Sequence, residues 1–307
     1  NMQMMARSLL VYRLTDSATA LGIMGLANAI PMVLFSLFGG VIADRIQKKY
    51  VLLAGQISSG LISLVIALFL TFDLLSPDRS NSWWLLIIAA LFQGTVMGLM
   101  MPSRQAIIRE LVGRQQLMNA ISLNTLGMNS LRLFAPAMAG FLIEVTGFSG
   151  VYYAMTIAYV VATAFTLLLP LTGTMSLKGS GALAYMAEGF SYIRRDKTIL
   201  LILLVTLFSV VLSMPYMMLL PVFTEDILKV GAGGMGILVS FSGMGAIVGS
   251  LILASLPNKK RGLMLITSGI LMGLALIAFS FSESWYLSLF AMIFIGVGQT
   301  GRMALGG

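Results

Sequence analysis

Stretches of about 20 mostly apolar residues recur along this chain from end to end, and that recurrence limits its fold more than any other feature. At 1.5 Å per residue, each stretch as a helix is long enough to cross the roughly 30 Å of hydrocarbon in a bilayer. Hydrocarbon offers no partner to a free N–H or C=O, so a spanning segment has to bond its own backbone, as a helix does. Composition points the same way: 58% of the residues are apolar and 10% charged, whereas soluble domains carry about 25% charged residues.

Bounded by charges and turn residues, the stretches fall at roughly 1–13, 20–43, 50–72, 83–103, 117–143, 150–171, 198–222, 233–256, 262–281 and 285–305. The expected fold class is an all-α membrane protein with about ten helices present. The chain opens with Asn1-Met2-Gln3 inside an apolar stretch and stops at Gly306-Gly307 directly after another. It lacks the layout of a secretory signal peptide and reads as a piece cut at both ends.

Basic residues set the orientation, because cytoplasmic loops retain them. Alternate loops hold Arg45, Lys48, Lys49, Arg104, Arg109, Arg114, Lys178, Arg194, Arg195, Lys197, Lys259, Lys260 and Arg261, while the opposite set holds Arg13, Arg79 and Lys229. The loop after the second segment is therefore expected in the cytoplasm. The net charge of +8 is explained by topology, and no nucleic-acid partner is expected. Cysteine and histidine are both absent, which removes thiol and imidazole catalysis and the usual zinc or copper ligands. No metal, cofactor or enzymatic activity is expected.

The longest connection, 172–197, contains Gly179-Ser180-Gly181 and reads as a cytoplasmic linker between a bundle at 1–171 and a second at 198–307. An internal echo supports two related halves: Gly22, Met24, Gly25, Ala43, Lys48 and Lys49 recur 211 residues later as Gly233, Met235, Gly236, Ala254, Lys259 and Lys260. Weak internal symmetry of this kind marks transporters built from two similar halves.

The sharpest motif is Gly39-Gly40-Val41-Ile42-Ala43-Asp44-Arg45-Ile46-Gln47-Lys48-Lys49. Here the sequence resembles the major facilitator superfamily, whose signature it matches except that Gln47 stands where a second glycine is usual. The resemblance implies a conformational switch formed by Gly40, Asp44, Arg45, Lys48 and Lys49, latching one half against the other. Physically, Gly40 is expected to admit a close neighbouring helix and Asp44 to cap or pair at a helix end, with the basic residues at the anionic membrane face. Ala135-Pro136-Ala137-Met138-Ala139-Gly140 resembles the family's antiporter motif. Pro136 is expected to bend its helix and Gly140 to permit close helix packing. Gln93-Gly94 matches a further family motif, with Ala90 at the position where that motif carries Arg.

Leu10 to Ser17, Glu188 to Arg194 and Leu219 to Phe223 are similar to the efflux branch that includes the enterobactin exporter and macrolide efflux proteins. Over nearly the whole chain that resemblance implies a major-facilitator fold of twelve helices in two six-helix bundles, with the last two helices outside this chain. It implies export of a drug, macrolide or siderophore from the bacterial inner membrane by alternating access, with protons as coupling ion, and a monomer. An uptake carrier of the same fold is the alternative, and a membrane-embedded enzyme a more distant one.

Inside the apolar segments, Arg7 and Arg132 sit where charge is costly and therefore faces protein or a hydrated cavity. Together with Gln93, Asn124 and Asn129 they are the candidates for a substrate cavity. Arg302, nearer a segment end, reads as a structural residue that can snorkel. Methionines such as Met97, Met100 and Met101 offer a deformable surface for apolar ligands, although core packing is their commoner use. No Asp or Glu falls in the middle of any segment, so the residue that would carry a coupled proton is left open.

Overall fold

The computed structural model describes residues 2–76, 82–112, 115–171, 200, 215–255 and 261–306, without the side chains of residues 37, 41, 43, 44, 109, 261 and 303–306. The linker read at 172–197, the pair Lys259 and Lys260 and most of the segment read at 198–222 lie outside the described residues. Among the described residues the regular structure is helical: α1 Met2–Thr15, α2 Ala18–Arg45, α3 Lys48–Thr71, α4 Trp84–Leu111, α5 Leu117–Leu167, α6 Pro215–Val222, α7 Gly231–Ser255, α8 Arg261–Ser280 and α9 Trp285–Gly306. A π-helical turn, Phe223–Ile227, follows α6. Six of these helices are long and apolar enough to cross a membrane.

Two boundaries differ from the sequence reading, each for a local reason. α4 continues to Leu111, so Arg104 and Arg109 extend a helix and do not lie in a loop. Its 28 residues reach about 42 Å, beyond a hydrocarbon core of about 30 Å. The segments read at 117–143 and 150–171 are two helices separated by a kink at Gly147, with φ 71° and ψ −177°, and not by a loop. Glycine alone visits that backbone region cheaply, so one residue makes the kink.

Large apolar side chains remain exposed along the helices, including Leu123, Phe134, Phe141, Ile157, Leu168, Leu251 and Phe281. Water would penalise such a surface, whereas hydrocarbon is its natural solvent.

The chain forms two compact units, described in turn: Ala6–Thr125 with Leu142–Ala182, and Asn1–Met5 with Leu126–Phe141 and Leu183–Gly307. In the first, α2 packs mainly on α4. A Cβ on Gly98 would stand 2.5 Å from the Met32 carbonyl oxygen, one on Gly39 would stand 2.6 Å from the Gly98 carbonyl oxygen, and one on Gly94 would overlap the Asn28 carbonyl. These glycines let the two backbones touch, which is how helices gain dispersion contact where lipid removes the hydrophobic drive to associate. Asn28 adds a hydrogen bond from Nδ2 to the Ala90 carbonyl at 3.2 Å.

The second unit repeats the device. α7 packs mainly on α9, where a Cβ on Gly245 would overlap the Ile293 carbonyl, one on Gly296 the Ser242 carbonyl, and one on Gly249 would come 2.9 Å from Val297 Cα. α7 and α8 begin close to where α2 and α3, displaced by the 211-residue echo, would place them. Met24 and its echo Met235 are both buried.

Candidate functional site

The signature motif closes α2 and opens α3. Only Ile46 and Gln47 separate the helices, at φ −113°, ψ 145° and φ −53°, ψ 120°. Neither residue needs the left-handed region, so Gln47 makes the turn without the glycine usual at that position. Close approach falls on Gly39 and not on Gly40 as the motif suggested, since nothing lies within 4 Å of a Cβ built on Gly40. Successive helical residues point about 100° apart, so only one of an adjacent pair can face α4. Asp44 lies in the last turn of α2, with its side chain outside the described part, and Arg45 is exposed.

The two lysines tie helix ends together. Lys48 Nζ stands 2.7 Å from Glu110 Oε1 near the end of α4. Lys49 Nζ donates to the carbonyl oxygens of Leu167 at 2.7 Å and Leu169 at 2.6 Å. A cation on the last carbonyls of a helix satisfies orphan acceptors and suits the negative end of its dipole. Neither partner was legible in the sequence, because nothing in the spacing links position 48 to 110 or 49 to 167. The pair Lys48–Glu110 is partly exposed and contributes about 0.5 kcal/mol. Lys48→Glu should therefore lower thermal stability slightly, and adding Glu110→Lys should restore it. A double variant no more stable than the sum of its single changes would show that the two charges do not interact.

Polar side chains within the first unit are mostly engaged between helices. Gln93 Nε2 donates to Ser59 Oγ at 3.1 Å, both buried, which joins α3 to α4. Met100 packs with Leu52 and Ile107 in a buried core and also borders a cavity with Tyr50, Gly55 and Leu99. Asn124 is exposed and Asn129 half-buried on α5. Arg7 is only 4% exposed, and its Nε and one terminal nitrogen make no hydrogen bond. The fully buried Tyr152 hydroxyl lies beside it without a bond of normal geometry.

The second unit holds Arg132, half-buried, and Arg302, buried. Arg132 donates from a terminal nitrogen to Gln299 Oε1. Its surroundings follow from Pro136, which has no N–H for the Arg132 carbonyl four residues back. Gly243 packs on that freed carbonyl, a Cβ there coming 2.9 Å from the oxygen. One turn on, Ser240 Oγ accepts from the Ala137 N–H at 3.2 Å. Gly236 sits against Pro136 and Gly140 against Ala232, so α5 from Leu126 to Phe141 is seated on α7. Arg302 is buried at 4% exposure. It and Arg132 both lie within electrostatic reach of the Tyr216 hydroxyl.

Apolar helices joined along glycine stripes, twice over, with arginines inside, define an internally duplicated helical membrane protein. The sequence model of the Major Facilitator Superfamily matches residues 1–305, and the chain belongs to that superfamily. It is 28% identical to a staphyloferrin A transporter of Staphylococcus aureus, over 86% of this chain and 66% of that protein. It is 20% identical to macrolide efflux protein A of Streptococcus pyogenes, over 87% of this chain and 66% of that protein. The chain thus spans just under two thirds of the length of these relatives. Among solved structures, a bacterial homolog of the lysosomal transporter Spinster, inward-facing and occupied, superposes with a TM-score of 0.69 at 13% identity, covering 99% of this chain and 70% of that one. The nucleoside transporter NupG gives 0.65 at 15% identity, covering 99% and 79%. At such identities these structures support the fold alone.

Proposed function

We propose that the chain is the larger part of a secondary transporter that exports a small apolar or amphipathic organic molecule across the bacterial inner membrane by alternating access. The observation that carries this reading is the superfamily match over residues 1–305. The outward direction is favoured by the relatives named as macrolide efflux proteins and by the Pro136 motif, whose freed Arg132 carbonyl leaves α5 a place to bend. In this reading the bundles at 1–171 and 198–307 rock about the seam where α5 meets α7. The loop carrying Lys48 and Lys49 faces the cytoplasm, and Asp44 with its basic neighbours switches between states. Gly39 supplies the close contact within the amino-terminal bundle.

The test is uptake of a radiolabelled macrolide or siderophore into energised inverted vesicles holding the full-length protein. Accumulation above vesicles without the protein, collapsing when a protonophore is added, is the expected result. Accumulation in right-side-out vesicles instead would replace export with uptake. No movement in either orientation for a broad panel would sink the reading.

A further inference from the structure

Within the first unit, α3 and the second half of α5 are tied together at both ends of α3 and leave a groove between the ties. At one end Lys49 Nζ holds the carbonyl oxygens of Leu167 and Leu169, and at the other Thr71 Oγ1 meets the Tyr153 hydroxyl at 3.0 Å. Along α3 the ties stand about 33 Å apart, close to the roughly 30 Å of a hydrocarbon core. The groove between them has a volume of about 350 Å³. Gly60 is buried there and gives it depth, since a Cβ at that position would come 3.2 Å from Tyr159 Cβ. Ile57, Leu61 and Val160 border it and are exposed, so it opens toward lipid.

The walls suit hydrocarbon. Thr156 and Thr163 turn their hydroxyls onto the Tyr152 and Tyr159 carbonyls of their own helix, at 2.9 and 2.8 Å, and the Gln56 Oε1 atom is buried. The surface left to a ligand is almost wholly apolar, and a polar molecule would lose its water there without a replacement partner. One end is different. Leu167 lines the groove while its carbonyl holds Lys49, which places a cation at the mouth. Both oxygens bonded by Lys49 are uncharged, and an ammonium has three N–H groups, so one is left for an anionic oxygen. From Leu167 to Thr156 the groove follows α5 for about 16 Å, the depth of one leaflet in a core of roughly 30 Å.

We propose that this groove binds an anionic phospholipid from the leaflet on the Lys49 side, with one acyl chain between α3 and α5 and the phosphate on Lys49. Basic pockets between spanning helices attract such headgroups. The site stands whatever the protein carries and in whichever direction.

Delipidated full-length protein in detergent is titrated with dioleoyl phosphatidylglycerol and, separately, with dioleoyl phosphatidylcholine, and bound lipid is counted by native mass spectrometry. One phosphatidylglycerol should bind at least tenfold more tightly than phosphatidylcholine, and soluble glycerol phosphate should not displace it. Lys49→Gln should weaken phosphatidylglycerol about fivefold and leave phosphatidylcholine unchanged. Ala164 lines the groove and is exposed, so Ala164→Trp fills the groove without overpacking a core and should weaken phosphatidylglycerol at least tenfold. Val160→Trp, from the same wall, should do the same where Ala164→Trp yields little protein. Equal binding of the two lipids, displacement by glycerol phosphate, or wild-type affinity in both tryptophan variants would each overturn the site.

Discussion

Gly94→Val should leave little folded protein in the membrane. The obstacle is backbone, since a Cβ at this position overlaps the Asn28 carbonyl, which cannot rotate away as a side chain can. α2 and α4 would have to separate, losing the contact made at Gly98 and Gly39 and stretching the bond from Asn28 to the Ala90 carbonyl. Overpacking of this kind costs about 3 kcal/mol, or roughly a hundredfold in the folded-to-unfolded ratio. Gly296→Val should act alike in the second unit, where the Ser242 carbonyl occupies the space. Gly273→Ala is the control: nothing lies within 4 Å of its Cβ, and alanine in a helix is worth about 0.5–1 kcal/mol over glycine. Size-exclusion profiles after heating in detergent measure all three. A Gly94→Val protein with wild-type yield and melting would show that α2 and α4 are not in backbone contact.

That contact marks where sequence reasoning reached and where it stopped. Segment positions were legible because a span must be both long and apolar, and the loops it bounds must hold the charge; α2, α3, α8 and α9 accordingly lie within a few residues of the expected limits. Contacts between helices were not legible, because they depend on rotation about each axis. Gly39-Gly40 invited the reading that either glycine packs, and the rotation of α2 chose Gly39. Arg302 resembled a residue near a helix end free to reach water, yet it is buried on the face of α9 whose Gln299 meets Arg132. A break after residue 103, as the apolar pattern suggests, gives no sign that α4 carries Glu110 beside Lys48.

The buried arginine of the first unit should separate stability from function. Arg7 is 4% exposed, with two nitrogens lacking any hydrogen bond and the equally unbonded Tyr152 hydroxyl beside it. A buried donor without an acceptor costs about 1–3 kcal/mol, more when charged, and exchanging a buried ionic group for an apolar one of similar volume is often neutral or stabilising. Arg7→Met should therefore keep or raise the melting temperature of the purified protein. Transport per folded molecule should nevertheless fall at least tenfold, because the uncompensated charge is useful only if substrate or water completes its bonding at some stage of the cycle. Arg7→Lys, which keeps a charge but not the planar fork, should recover part of that loss. Both readouts matter, since a structural arginine predicts the reverse pattern. If Arg7→Met melts several degrees below the wild type while its surviving molecules transport normally, Arg7 holds α1 in place and takes no part in moving substrate.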